Sequence, residues 1–376
     1  MVQTASGWRY RAVLDVASQG GRRRQVTRTF DTVVEARRFV SETRENVRRG
    51  TYLAPSRTTL RELTDEWLAT RRDIRPVSVR GYRSVLDPIC SRLGERKVQS
   101  LTRDEVEALV EWMRVEGGAR GRGWSQRSCV YALGALRQVL DFGVSNGLLV
   151  SNPAARVQAP RRQRGDRRPT AVWEPADLVA FRRVADTDPW AAAWRLTLCG
   201  LRRSEVLGMS WSSVDIEAGT VKVEAGRVVV SGESLIDDPK SDASARVVPV
   251  ERMHTGTSAV LRSLRTRQSA ERLAAGLAYT ETGLLLVDAL GTGVSPDAYG
   301  DRFRAICRSA GVPVIPLHNV RHTLALMLHR AGEAPADVSA LLGHTITTHL
   351  AHYVPRTERG VAAAAGRFGE VLATVR

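Results

Sequence analysis

Leu317-His318-Asn319-Val320-Arg321-His322-Thr323 is the stretch on which the reading of this chain turns. Two imidazoles and a guanidinium fall within five residues, at the front of a run with helical periodicity that reaches about Ala331. Six of the seven histidines lie between 318 and 352: His318, His322, His329, His344, His349 and His352. Clustering of this kind points to a site rather than to scattered core imidazoles. Zinc is the obvious alternative, because His318 and His322 stand at i and i+4 on one helix face. An HExxH site would need Glu at 319, where Asn319 stands, and no acid follows before Glu333. No metal ligand set is expected.

Arginine pairing accounts for the stretch better. A buried guanidinium needs an anionic partner, and a phosphate diester presents two oxygens in matching fork geometry. A second arginine is expected from Cys199-Gly200-Leu201-Arg202-Arg203-Ser204-Glu205-Val206-Leu207. There Gly200 marks a turn and Arg202 opens a helix whose N-terminal amides add partial positive charge. Glu205, one turn on, is placed to hold Arg202 or its neighbours.

The charge of the whole chain agrees. Its 376 residues carry 56 basic against 40 acidic side chains, a formal +16, which excludes an ordinary acidic enzyme and points to a polyanion such as nucleic acid. Only Lys97, Lys222 and Lys240 are lysines, so 53 of the cations are arginines and each lysine stands out. Cys90, Cys129, Cys199 and Cys307 form no CxxC pair, which argues against a disulfide framework or a thiolate zinc site. No apolar run approaches the roughly 18 residues of a membrane span. The N-terminus lacks a signal peptide's apolar core, so a cytoplasmic protein is expected.

Three textures divide the chain into a multidomain, mainly α protein with small β-sheets. Residues 1–55 predict a β-rich unit. Gly7–Leu14 partly alternates, Gln19-Gly20-Gly21 turns, Arg22–Phe30 is a second strand, and Asp31 or Thr32 caps a helix to about Arg49. Its apolar stripe would be Val33, Ala36, Phe39 and Val40. Residues 1–57 hold 12 arginines against 5 acids, favouring a basic sheet laid on DNA over a merely solvated face. Residues 57–152 predict a helical bundle, with caps at Thr58 or Thr59 and at Thr102, the latter in a capping box with Glu105. Residues 153–170, proline-bracketed and arginine-rich, read as a basic linker. Residues 171–376 are mixed α+β. Helices are expected over Glu174–Val184, Trp190–Leu198, from Arg203, His254–Ala275, Pro296–Ser309, Leu317–Ala331 and Pro335–Leu342, with a tail from Thr357. Thr220–Val223 and Arg227–Val230 suggest a hairpin turning at Ala225-Gly226, with Arg246–Val250 as a third strand.

The boxes Gly200-Leu201-Arg202-Arg203-Ser204-Glu205, His318-Asn319-Val320-Arg321-His322 and Leu342-Gly343-His344, with Tyr353 nine residues after His344, resemble in order and spacing the signatures of tyrosine recombinases, the phage integrase family. Asp237–Pro249 is similar to the family's lysine-bearing hairpin, which puts the catalytic lysine at Lys240. The resemblance implies an arm-type DNA-binding domain over 1–55, a core-binding (SAM-like) domain over 57–152 and a catalytic domain over 171–376. It also implies the chemistry. Tyr353 attacks the scissile phosphate, Arg202 and Arg321 clamp its oxygens, His318 and His344 hydrogen-bond it, and Lys240 protonates the leaving 5′ oxygen.

No cofactor and no metal are implied, and the chain has no GxxxxGK[ST] loop. The implied partners are double-stranded attachment sites, a homotetramer on DNA, an excisionase and a host DNA-bending factor. The implied location is the host cytoplasm at the nucleoid, and the implied role is integration or excision of mobile, including viral, DNA. Departures are Leu350 where the family usually has Thr, Asn319 for Asp and Val320 for Leu; His349 and His352 receive no catalytic part. The apolar C-terminal segment, Val361–Ala365 with Phe368, Val371 and Leu372, would dock on a neighbour or on its own domain. Two rivals stand beside it: a type IB topoisomerase, which shares the nucleophile chemistry, and a catalytically silent DNA-binding protein that keeps the fold.

Overall fold

The computed structural model describes the chain except residues 1, 5–6, 17–23, 50–51, 73, 119–120, 162–169, 225, 231–232, 238–244, 354–361 and most of 363–376. Most of the arginine run of the expected linker, Lys240 and most of the C-terminal tail therefore lie outside the described residues. The chain divides into two compact units, residues 1–167 and 168–376.

The first unit begins with an antiparallel sheet in the order β1 (Val2–Thr4), β2 (Gly7–Val16), β3 (Arg24–Phe30). Along β2, Ala12, Leu14 and Val16 are buried while Arg11, Val13 and Asp15 are exposed, the period-two alternation of a one-sided sheet. Helix α1 (Val33–Arg48) starts at a capping box in which Thr32 Oγ1 accepts from the Glu35 amide at 3.2 Å and Glu35 returns a bond to the Thr32 amide. Of its expected stripe, Ala36 is buried and Phe39 and Val40 half-buried, whereas Val33 is exposed.

Four helices follow: α2 (Leu60–Thr70), α3 (Pro76–Leu93), α4 (Arg103–Val115) and α5 (Gln126–Ser145). Thr59 with Glu62 and Thr102 with Glu105 close capping boxes on α2 and α4. Helix α5 packs on the other three. Leu60, Leu63, Leu86, Ile89, Leu109 and Leu136 meet in the core, each side chain contributing roughly 1.5–3 kcal/mol by leaving water. Ala154 and Val157 join the same core, held by Arg137, whose Nε donates to the Ala154 carbonyl at 3.0 Å.

The second unit opens with α6 (Pro175–Ala185), α7 (Ala191–Leu198) and the single-turn α8 (Arg203–Leu207). Strands β4 (Val214–Asp215), β5 (Thr220–Val223), β6 (Gly226–Val230), β7 (Glu233–Asp237) and β8 (Arg246–Val248) come next. Helices α9 (Val250–Met253), α10 (Thr257–Ala275), α11 (Pro296–Ser309), α12 (His318–Arg330), α13 (Pro335–Leu342) and α14 (Ile346–Tyr353) complete it. Its core centres on Trp173, Phe181, Trp194, Tyr299 and Phe303, with Trp194 and Tyr299 stacked at 4.3 Å between centroids. The Tyr299 hydroxyl, 2.7 Å from Thr197 Oγ1, ties α11 to α7.

Two expectations are corrected. Thr220–Val223 does not pair with Arg227–Val230. Strand β5 lies between β4 and β8, while β6 forms its own hairpin with β7. Val221 and Val223 are buried and pair with Val248 and Arg246, so the apolar face, not proximity in sequence, selects the partner. Strand β8 also stops at Val248, because Pro249 cannot donate to a ladder. Helix α14 was not expected, since Ile346, Thr347 and Thr348 are poor helix formers. It starts where Thr345 Oγ1 accepts from the Thr348 amide, and it packs on α12 and α13.

Candidate active site

The C-terminal end of α13 organises the site. A helix leaves its last carbonyls without intrahelical partners, at the negative end of its dipole. Three consecutive carbonyls here each take a different guanidinium. Arg246 Nε donates to the Leu341 carbonyl at 2.9 Å, Arg321 Nη2 to the Leu342 carbonyl, and Arg202 Nη2 to the Gly343 carbonyl at 2.7 Å. Residues far apart in sequence, on the α7–α8 turn, on β8 and on α12, thus converge at one point.

Glu205 binds two of the three together. Its carboxylate accepts from Arg202 Nη1 at 2.6 Å and from the Arg202 amide at 2.8 Å, and from Arg246 Nη2 at 3.0 Å. The Glu205 and Arg246 side chains are 7% and 6% exposed, so removing either partner would leave a buried charge uncompensated. Burial pushes the Glu205 carboxyl up, but hydrogen bonding and charge from Arg246, with the amide and charge of Arg202, more than offset this and hold it below the usual range. Because Glu205 already takes the Arg202 amide at the start of α8, attraction for an anion falls to the guanidiniums rather than to the amide expected to supply it.

Arg321 is 2% exposed. Its Nη1 donates to the Gly200 carbonyl at 2.8 Å, and its Nη2 lies 2.9 Å from His344 Nδ1. Two glycines make this geometry. Gly200 has φ +83°, and a Cβ there would stand 2.7 Å from Leu342 Cδ2. Gly343, with φ +65°, ends α13 in the left-handed conformation, and a Cβ there would stand 2.7 Å from Arg246 Nη1. Gly343→Ala is expected to cost at least about 1 kcal/mol from backbone strain alone. Chemical denaturation would read this as a lower midpoint at unchanged slope.

His318 begins α12 with part of its ring at the surface, edge-on to His322 at 4.8 Å. Crowding by surrounding protein lowers its pKa, and the Arg321 and Arg202 charges lower it further. His344 is half-buried. Burial first, then the charges of Arg321, His349, Arg202 and Arg246, push its pKa from 6.5 down to about 4. Between those values the unfolded chain binds a proton that the folded chain refuses, so stability falls as pH drops from 6.5 to about 4. Melting curves at about pH 5 are therefore expected to lie below those at about pH 7, and His344→Asn is expected to narrow the gap.

The described structure thus brings Arg202, His318, Arg321 and His344 into one neighbourhood. Tyr353 is the last residue of α14, with its backbone described and its side chain not; Lys240 lies outside the described residues. Arg246, which the sequence reading did not nominate, belongs to the network. Its signal was its place in the quoted lysine-bearing stretch, six residues after Lys240. Among the described residues, no group of three His, Cys, Asp or Glu side chains could hold a metal ion.

The model of the phage integrase family matches residues 191–359, which contain all six candidate residues. Tyrosine recombinase XerC of Shewanella amazonensis is 27% identical over 288 residues, covering 74% of this chain and 84% of that protein. Residues 191–359 thus form a domain of phage integrase type, similar to that of tyrosine recombinases. A XerC-like recombinase of Caldanaerobacter subterraneus is 30% identical over 176 residues, 42% of this chain. XerC of Salmonella typhi is 30% identical over 165 residues, also 42% of this chain. In those two comparisons the chain spans about half of the relative's length, 44% and 52%.

Solved structures share the recombinase fold. The Tn1549 transposon integrase in complex with transposon right end DNA superposes with TM-score 0.66 at 19% identity, covering 83% of this chain and 99% of that one. A lambda integrase tetramer bound to a Holliday junction superposes at 0.57 with 13% identity, covering 89% of this chain and 91% of that one. Among the described residues, no helix is long and apolar enough to cross a membrane.

Proposed function

We propose that this chain is a site-specific DNA recombinase that cuts and rejoins strands through a 3′-phosphotyrosyl intermediate. The carrying observation is the convergence of Arg202 and Arg321 on adjoining carbonyls at the end of α13, with Tyr353 ending the next helix. Two forks held on one scaffold suit the two non-bridging oxygens of a phosphodiester, and being held before substrate arrives they cost little reorganisation in the transition state. The Tyr353 oxygen bonds to phosphorus and the bond to the 5′ oxygen breaks. The phenolic proton passes to His318, whose lowered pKa keeps it unprotonated and able to accept. Lys240 gives a proton to the departing 5′ oxygen, and His344 hydrogen-bonds the phosphate. Attack by a 5′-hydroxyl from a partner duplex reverses the step and completes exchange.

The basic first unit supplies grip. Residues 1–55 are assigned to accessory arm sites, 57–152 to the core site, and 153–170 to a basic linker. Four copies would act together on two duplexes in the cytoplasm, with an excisionase and a DNA-bending factor setting direction.

The test is incubation with a nicked suicide duplex carrying the attachment site. A denaturation-resistant adduct whose cross-linked peptide contains Tyr353 is expected, and a reactive preparation yielding no adduct overturns the reading. Two-substrate strand exchange then separates a recombinase from a topoisomerase, which would relax supercoils without exchanging partners.

A further inference from the structure

His349 lies on α14 one turn before position 353 and is 0% exposed. Its ring stacks on that of His344 at 5.4 Å between centroids and 12° between planes, and its Nδ1 is 3.2 Å from His344 Nε2. The direction of this bond follows from its other end. A guanidinium only donates, so His344 Nδ1, 2.9 Å from Arg321 Nη2, must be the acceptor. A neutral His344 then carries its proton on Nε2 and donates it to His349 Nδ1. The result is a one-way chain from Arg321 through His344 to His349, starting at a phosphate-clamping guanidinium and ending inside the nucleophile's helix. This link joins the guanidinium cluster to α14 through side chains.

We infer that His349 is a positioning residue, which by accepting the His344 Nε2–H sets the register of α14, and so of Tyr353, against the clamped phosphate. This rests on the recombinase reading above. A buried imidazole is a poor choice for mere filling, since an apolar side chain of similar volume packs there without a polar group to satisfy. Residues 349 and 353 stand four apart on one helix face, so a shift of the first carries the second. Misplacing a reacting group by about 1 Å can cost on the order of 10²-fold in rate.

Two substitutions of opposite character separate positioning from packing. His349→Asn keeps an acceptor near the Nδ1 position; His349→Leu keeps the volume and loses the acceptor. Single-turnover adduct formation on the nicked suicide duplex is measured beside DNA affinity and melting temperature. The expected result is a roughly 10²-fold slower reaction for His349→Leu at unchanged DNA affinity, with most of the rate retained by His349→Asn. A Leu variant as fast as the parent overturns the inference. So does equal slowing of both variants with lowered melting temperatures, which would make the site one of packing alone. Failure of the unsubstituted protein to form any adduct brings down the recombinase reading itself, an outcome distinct from a reactive parent with indifferent variants.

Discussion

Tyr353→Phe is expected to bind attachment-site DNA as the parent does and to form no covalent adduct, a loss of at least about 10⁴-fold of the kind seen when a nucleophile is removed. The substitution deletes one oxygen, and no other phenol of the second unit can take its place. Tyr299 is fully buried, its hydroxyl bonded to Thr197 and to the Ala193 carbonyl, and burial pushes its pKa far up. Burial also raises the pKa of Tyr279, which lies outside the network formed by Arg202, Arg246 and Arg321. Tyr299→Phe therefore makes the matched control. It should retain cleavage while losing about 1 kcal/mol of stability with its hydrogen bonds. Denaturing gels of the two variants beside the parent check both expectations. A residual adduct in Tyr353→Phe would move the nucleophile elsewhere.

Arg321→Lys should show the next largest effect. The ammonium keeps the charge but loses the planar fork, and it cannot reach the Gly200 carbonyl, the Leu342 carbonyl and His344 Nδ1 together. Loss of an arginine that stabilises a phosphoryl transition state costs on the order of 10³–10⁵-fold. A fall of about 10³-fold in single-turnover cleavage is therefore expected. Stability should suffer as well, since each buried carbonyl left without a donor costs roughly 1–3 kcal/mol. Arg202→Lys offers a comparison, because that side chain is 32% exposed and water can replace part of what is lost. A smaller change in melting temperature with a similar loss of rate is expected there. Equal activity of Arg321→Lys and the parent would remove Arg321 from the chemistry.

Much was readable in local pattern. The capping box of Thr102 with Glu105 announces α4, and the cap candidates before α1 and α2 resolve to Thr32 and Thr59, which satisfy orphan amides within four residues. The expected helices Pro296–Ser309 and Pro335–Leu342 coincide with the observed ones, each opening on a proline. The pairing of β5 was not readable, because two valine-rich segments close in sequence look like a hairpin until the core selects Val248 as partner. Helix α14 was hidden by its β-branched start, where packing on α12 and α13 overrides propensity.

The site divides along the same line. Resemblance of the boxes to the family's signatures nominated Arg202, His318, Arg321, His344 and Tyr353, because a chemistry needing given residue types leaves them in a given order along the chain. Order carries no distances. That three arginines meet on the carbonyls of Leu341, Leu342 and Gly343, that Glu205 shares itself between Arg202 and Arg246, and that His349 completes a directed chain through His344 are facts of the fold. They arise because the last carbonyls of one short helix, left without intrahelical partners, collect positive charge from elements 95 and 141 residues away in sequence, as well as from the neighbouring α12. Such long-range electrostatic matching has no local signature in the amino-acid sequence.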